Sequence, residues 1–562
     1  MNEKCRRISI YLNFVIFEKG QMTENSSKQV LLPIWLALAI GTGIFIGAQF
    51  VNAPIVSKRA GGSSEKLREV LLSIENNYVD SVNADEIVDD GIKGMLEELD
   101  PHTSYIPRKE VNAVNAQLNG HYDGIGIEFD IISDSIVVVK PSPGGPSEKA
   151  GIQIGDRIIE VNGEQVAGID ISNKGVTDRL LGSRGSEVSL VLYRPIENKK
   201  IEVELQRGSI QSPTVDAYYM IDEKTGYIKL GRFGSDSYNE VANALQELKE
   251  QGMNQLVFDL QDNPGGYLGA AEKIADEFIQ DGRIIVSQKG NNGKYDDEFR
   301  ASGDGLFESQ PVIVLVNEYS ASASEIVAGA MQDNDRALIV GRRSFGKGLV
   351  QLPITLNDGS ELRLTIARYY TPSGRCIQKS YKDGMVKYAH DINVRYDNGE
   401  FFHADSIQFA DSLKYTTVGG RTVYGGGGIM PDYFVPLDTT QTTTYYNLLL
   451  SKHVLREFTI SYVVEHKEEL QKQTFDDFVS TFGWDAKMLG KLKQTGERLS
   501  VPFDQSEYER SDELIKTYSE AEIARLVWGG NAFYELINPE TNEALESSLK
   551  LFDKARKLEG IK

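Results

Sequence analysis

Pro311-Val-Ile-Val-Leu-Val-Asn317 passes through Glu318 and Tyr319 into Ser320-Ala-Ser-Ala-Ser-Glu325. The first half is an unbroken apolar run rich in β-branched residues. It has no polar face, which predicts a strand buried on both sides, as in a parallel sheet covered by helices. The second half holds only small residues before Glu325, which suits a strand-to-helix turn. Ligands of such sheets bind outside the carboxyl ends of the strands, so Ser322 is predicted to face whatever binds there. Its neighbouring amides lie near a helix N-terminus, where a developing negative charge is favoured. Read alone, Ser322-x-x-Glu325 is also a helix capping box, a reading that needs no chemistry.

Working outward, the alternation continues between Thr214 and Pro436. Strands are predicted at 226–230, 255–260, 311–317 and 337–341, and helices at 237–251, 268–279 and 323–331. That order points to a largely parallel sheet covered by helices. Two more loops leave the same ends of the strands. Asp262-Asn-Pro-Gly-Gly266 follows 255–260, and its glycines let the backbone approach a bound carbonyl closely; an ordinary Pro-Gly turn is the bland alternative. Strand 337–341 is followed by Arg342-Arg-Ser-Phe-Gly-Lys-Gly348 and then Leu349-Val-Gln351. Lys347 and Gln351 are four apart and share a face in either a strand or a helix. A lysine desolvated beside a serine gives up its proton and can act as a base. In open solvent it is only a charged loop residue. Gly341-x-x-x-x-Gly346-Lys347 imitates a phosphate-binding loop. Gly348 stands where Ser or Thr would hold magnesium, and a strand-like run follows instead of a helix, so nucleotide binding is excluded. There is no G-x-S-x-G elbow.

The remaining chain sorts by pattern. Residues 30–51 are uncharged and long enough to cross a hydrocarbon core of ~30 Å; they are read as an uncleaved anchor, although Val51-Asn-Ala53 resembles a cleavage site. Helices are predicted around Leu67–Ile74 and over 84–99, where Asp100-Pro101 stops the second. Short β runs at 125–129, 135–139, 157–161, 188–193 and 201–206, with helices at Pro146 and 173–181, form a compact β-rich module. After Asp438 the chain reads as helical, for instance over 443–470 and 506–528. The expected architecture is multidomain α/β: tail 1–29, membrane helix 30–51, helical region 62–115, β-rich domain 116–208, α/β core 209–437 and helical C-terminal domain 438–562. A net charge of −22 argues against nucleic acid as a partner. The two cysteines, Cys5 and Cys376, make no disulfide framework, and the six histidines make no zinc motif, so neither metal nor cofactor is expected.

Serine, lysine and glycine turn converge on one sheet edge, and together they resemble the S41 family of carboxyl-terminal processing peptidases. The resemblance runs from roughly Ser64 to Pro436. It rests on Ser320-Ala-Ser-Ala-Ser-Glu325, Phe345-Gly-Lys-Gly-Leu-Val-Gln351, Asn263-Pro-Gly-Gly266 and Tyr369-Tyr-Thr-Pro-Ser-Gly-Arg375, with Cys376 unusual at its place. It implies Ser322 as nucleophile, Lys347 as base, Gln351 as the residue that orients it, and the amides of Gly266 and Ala323 as oxyanion donors. The β-rich domain resembles a PDZ domain, carried by Ala150-Gly-Ile-x-x-Gly-Asp-x-Ile-x-x-Val-Asn-Gly163. Asp123, Gly124, Ile125, Gly126 and Ile127 match the loop that receives a peptide carboxylate, beside which a substrate tail adds as a strand. The resemblance implies a serine endopeptidase acting on protein substrates with free C-termini. It also implies a single-pass position in a bacterial inner membrane with the catalytic domains on the periplasmic side. The C-terminal helices depart from shorter members; a homo-oligomer or adaptor contact is expected of them. The alternative is a catalytically silent membrane-anchored PDZ scaffold or adaptor.

Overall fold

The computed structural model describes residues 62–558 apart from residue 117. The tail at 1–29 and the expected anchor at 30–51 lie outside the described residues. Among the described residues, no helix is long and apolar enough to cross a membrane. The chain forms two compact units, 1–88 and 89–562. In the first, the Ser63–Asn77 helix carries Leu67 and Val70 exposed.

In the second unit, the β-rich part is an antiparallel sheet. Its strands run in the order Ile127–Ile131, Ile136–Pro141, Arg157–Val161, Glu187–Arg194, Lys199–Gln206. Alternation along Ile136–Pro141 sets its two faces. Ile136 and Val138 point into the domain's own core with Ile158, Val176 and Leu192, while Val137 and Val139 pack against C-terminal helices. The first strand begins at Ile127, later than expected, because Ile125-Gly126 is a loop with Gly126 at φ +78°. A short ladder pairing His121–Gly124 with Gly208–Gln211 joins this domain to the rest.

The expected parallel sheet is present. Its order is Val215–Met220, Thr225–Leu230, Gln255–Asp259, Val312–Val316, Leu338–Gly341, Tyr433–Phe434, parallel except for the first pair. Leu256, Phe258, Val312 and Val314 face the helices Ser237–Glu250, Leu268–Asp276 and Ala323–Asp333. Val257, Ile313 and Leu315 face Leu545, Leu551 and Phe552 from the last helices of the chain. Part of the C-terminal region therefore completes the catalytic layer. A second, antiparallel sheet built on Glu361–Tyr370 pairs with Ser104–Ile106, Ile284–Gly290 and Leu349–Thr355. The helix expected over 443–470 is three helices, Thr444–Ser451, Val454–Glu465 and Lys467–Leu470. His453, at φ +57°, cannot continue a right-handed helix and breaks the first from the second.

Candidate active site

The turn after Val312–Val316 holds three serines, and their surroundings separate them. Ser320 is fully buried and donates to the Leu260 carbonyl at 2.7 Å. Ser324 is fully buried and donates to the Asn263 carbonyl at 2.8 Å. Both hydroxyls are committed to holding the turn. Ser322 is half-buried and sits at φ +56°, ψ −112°, a conformation that costs a non-glycine residue about 1–3 kcal/mol. Strain of that kind persists only where the surroundings over-determine it. Here the Ala321 N–H donates to Asn263 O at 3.0 Å and the Ser322 N–H to the Glu325 carboxylate at 2.9 Å. The capping-box pairing is real, but it coexists with an accessible, strained serine.

Lys347 comes from the loop after Leu338–Gly341 and is half-buried. Its Nζ donates to Gln351 Oε1 at 3.0 Å. The ladder between Leu349–Thr355 and Glu361–Tyr370 slips between Val350 and Gln351, and a bulge at that point re-aims a side chain. The Gln351 amide in turn donates to the His102 carbonyl, which fixes its oxygen toward Lys347. Burial pulls the Lys347 pKa below the ordinary 10.5; Glu325 and Asp100 oppose the shift and Arg363 adds to it. The Ser322 turn and the Lys347 loop are tied to each other. The Glu325 carboxylate also takes the N–H of Lys347 at 2.8 Å, and the Tyr369 hydroxyl lies 2.6 Å from Lys347 O and 3.1 Å from Ser322 O.

The glycine turn completes the arrangement. Gly266 pairs with Phe233, and a Cβ on it would lie 1.9 Å from Phe233 O. A Cβ on Gly265 would lie 2.8 Å from both Ser322 Cβ and Ala323 N, so only glycine permits the turn to press against Ser322. Among the described residues, neither the Gly266 N–H nor the Ala323 N–H donates a hydrogen bond within the protein. Free donors flanking a serine are what an oxyanion requires. The residues brought together here are Ser322, Ala323, Gly266, Lys347 and Gln351.

The profile of peptidase family S41 matches residues 224–389, and that of PDZ domains residues 137–194. A "Probable CtpA-like serine protease" of Staphylococcus aureus is 34% identical over 366 residues, 63% of this chain and 72% of that one. The chain belongs to peptidase family S41. A second S41 relative, the "Carboxy-terminal-processing protease" of Bartonella bacilliformis, is 35% identical over 314 residues, covering 55% of this peptidase and 71% of the relative. Among solved structures, the photosystem II D1 C-terminal processing protease is 33% identical, covers 57% of this chain and 84% of its own, and superposes with a TM-score of 0.34. Residues 445–529 match a family of unknown function. This S41 peptidase is a serine-type hydrolase with a PDZ domain.

The loop from Asp123 to Ile127 lies well apart in sequence from Ser322 and Lys347. Gly124 to Ile127 are buried, Asp123 pairs with Arg184 at 3.3 Å, and the Ile125 and Gly126 N–H groups make no hydrogen bond among the described residues. Two contributors to the site escaped the sequence reading. Tyr369 lay within a quoted segment without a role. His102 lay in Asp100-Pro-His-Thr103, read only as a helix stop. Asp100 accepts from the N–H groups of His102 and Thr103 and from Thr365 Oγ1 at 3.0 Å, pinning that loop to the strand opposite Gln351. Burial and the charge of Lys347 push His102 down to about 4, so its ring is neutral near pH 7; its Nε2 lies 2.7 Å from the Tyr388 hydroxyl.

Proposed function

We propose that Ser322 and Lys347 form the catalytic dyad of an endopeptidase that trims proteins near their C-termini. The observation that carries this reading is the desolvated Lys347 amine, aimed by Gln351 and tied to the Ser322 turn. The neutral amine takes the Ser322 proton as Oγ attacks the scissile carbonyl. The N–H groups of Gly266 and Ala323 receive the oxyanion. The ammonium then protonates the leaving amine, and water attacks the acyl-enzyme with the amine again as base. The test compares casein cleavage by the full-length chain with that of Ser322→Ala and Lys347→Arg. Both variants fold and neither cleaves; cleavage by either at the wild-type rate rejects the assignment.

The loop from Asp123 to Ile127 is assigned to the carboxylate of the substrate tail, supported by its unused amides. The boundaries 62–115, 116–208, 209–437 and 438–562 are the division adopted for the functional parts. The uncharged run at 30–51 supports a single-pass anchor in a bacterial inner membrane with the catalytic parts on the extracytoplasmic side. The C-terminal helices are assigned to contacts between copies or with an adaptor. Digestion of intact spheroplasts by added protease removes the catalytic domains under this reading; their full protection contradicts the orientation.

A further inference from the structure

The Glu325 carboxylate is fully buried and accepts four hydrogen bonds. Donors are the Ser322 N–H at 2.9 Å, Ser344 Oγ at 2.5 Å, the Gly346 N–H at 2.7 Å and the Lys347 N–H at 2.8 Å. A helix cap accounts for the first alone. The other three belong to the base loop, some twenty residues away in sequence. No strand ladder joins the two loops at this point; the Phe345 N–H donates to Ser320 O at 3.0 Å, Tyr369 bridges the carbonyls of Ser322 and Lys347, and the Glu325 carboxylate gathers the N–H groups of the same two residues.

We infer that Glu325 is the positioning residue of the dyad, its carboxylate holding the main chain of Ser322 and Lys347 in register. The inference rests on the dyad assignment above. Its charge has a definite consequence. Burial raises the Glu325 pKa against the four hydrogen bonds it accepts; as a carboxylate Glu325 favours the ammonium form of Lys347 and so opposes the lowering of the amine's pKa by burial, which nonetheless prevails. The other groups facing Lys347 are Asp100 and His102 from the pinned loop and Arg363 from the neighbouring strand. Those facing Glu325 include Tyr369, Lys379 and Tyr388. The neutral His102 ring does not offset the anion above pH 4, and Lys379 is occupied by Asp391 at 2.8 Å.

Two substitutions separate position from charge. Glu325→Gln keeps the size and removes the charge; Glu325→Asp keeps the charge and withdraws it from the Gly346 and Lys347 amides. A displacement of about 1 Å at a catalytic group costs up to ~10²-fold in rate. Both variants therefore lose kcat about tenfold or more with KM little changed. Only Glu325→Gln moves the acidic limb of the kcat profile to lower pH. A residue that merely caps the helix predicts otherwise, since aspartate is a good partner in a cap: Glu325→Asp then keeps kcat near wild type, and the limb of Glu325→Gln stays in place. Either of those results overturns the inference. If Glu325→Gln does not fold, the kcat of Glu325→Asp decides alone. Ser322→Ala and Lys347→Arg run beside them: if those two retain activity the dyad itself is wrong, whereas if they are dead while both Glu325 variants behave as wild type only the role of Glu325 fails.

Discussion

As the proposed base, Lys347 must act without its proton. Free lysine titrates near 10.5, and burial lowers that value here despite the nearby carboxylates. A group that works as the neutral base becomes more competent as pH rises through its folded pKa. We expect kcat/KM to climb with pH along a limb centred below 10.5. His102, neutral above about pH 4, contributes no step near pH 6–7. Lys347→Arg keeps the charge but cannot lose it, and general-base catalysis supplies about 10²–10⁴-fold, so the variant falls by at least that much. Near-normal rates in Lys347→Arg remove Lys347 from the mechanism. A second residue, Arg375, tests the frame. It is fully buried, pairs with Asp333 at 2.7 Å and donates to Gln332 and to the Tyr424 carbonyl. Removing one partner strands a buried charge, so Arg375→Ala should lose about 3–5 kcal/mol in a denaturant melt. A change below about 1 kcal/mol indicates that water already screens the pair.

Among the elements, the loop before Ile127–Ile131 carries two unused amides, from Ile125 and Gly126. Hydrogen bonds to a charged acceptor are worth about 1.5–3 kcal/mol each. Peptides with a free C-terminus should therefore be cleaved with kcat/KM about tenfold or more above their amidated versions, and equal rates argue against carboxylate recognition. The elements also show what a sequence can disclose. The strand at Pro311 to Val316 was legible because it has no polar face, and burial on both sides leaves that signature; its neighbours carry the buried polar residues Lys229, Gln255 and Asp259, and their alternation with helices disclosed them. The sheet on Glu361–Tyr370 was not, although Leu362, Leu364 and Ile366 alternate with Arg363 and Thr365 as in a strand, because Ser104–Ile106 and Ile284–Gly290, which pair with it, are distant in sequence. His453 gave no local sign that it would break a helix. At the site, Ser322, Lys347, Gln351 and Gly266 stood in recognisable motifs. Tyr369 and Glu325 stood in motifs too, but the bridges they make were not legible, because they join segments that meet only once the sheets are packed.

For the whole molecule, the C-terminal helices grip the PDZ domain. Arg525 reaches Glu128 through two bonds of 2.9 Å, Arg456 pairs with Asp130 at 3.0 Å, and Arg157 with Glu457 at 2.7 Å, around an apolar contact of Val137 and Val139 with Ile460, Val463 and Ile523. Glu128 and Asp130 lie on the strand that follows the peptide-receiving loop, so the region of unknown function holds the domain by that strand. Arg525→Glu sets like charges against Glu128 and Glu522 and should lower stability by about 1–3 kcal/mol; adding Glu128→Arg should recover part of it in a double-mutant cycle. Additive losses instead show that the two side chains do not interact. Under the proposed dyad, Ser322 acts beside the Lys347 amine. Treating the active protein with a fluorophosphonate and locating the adduct by peptide mass spectrometry tests that claim most directly. The account predicts a single adduct on Ser322 that is lost in Lys347→Arg; an adduct on Ser320 or Ser324, or one on Ser322 that forms as fast without Lys347, contradicts it.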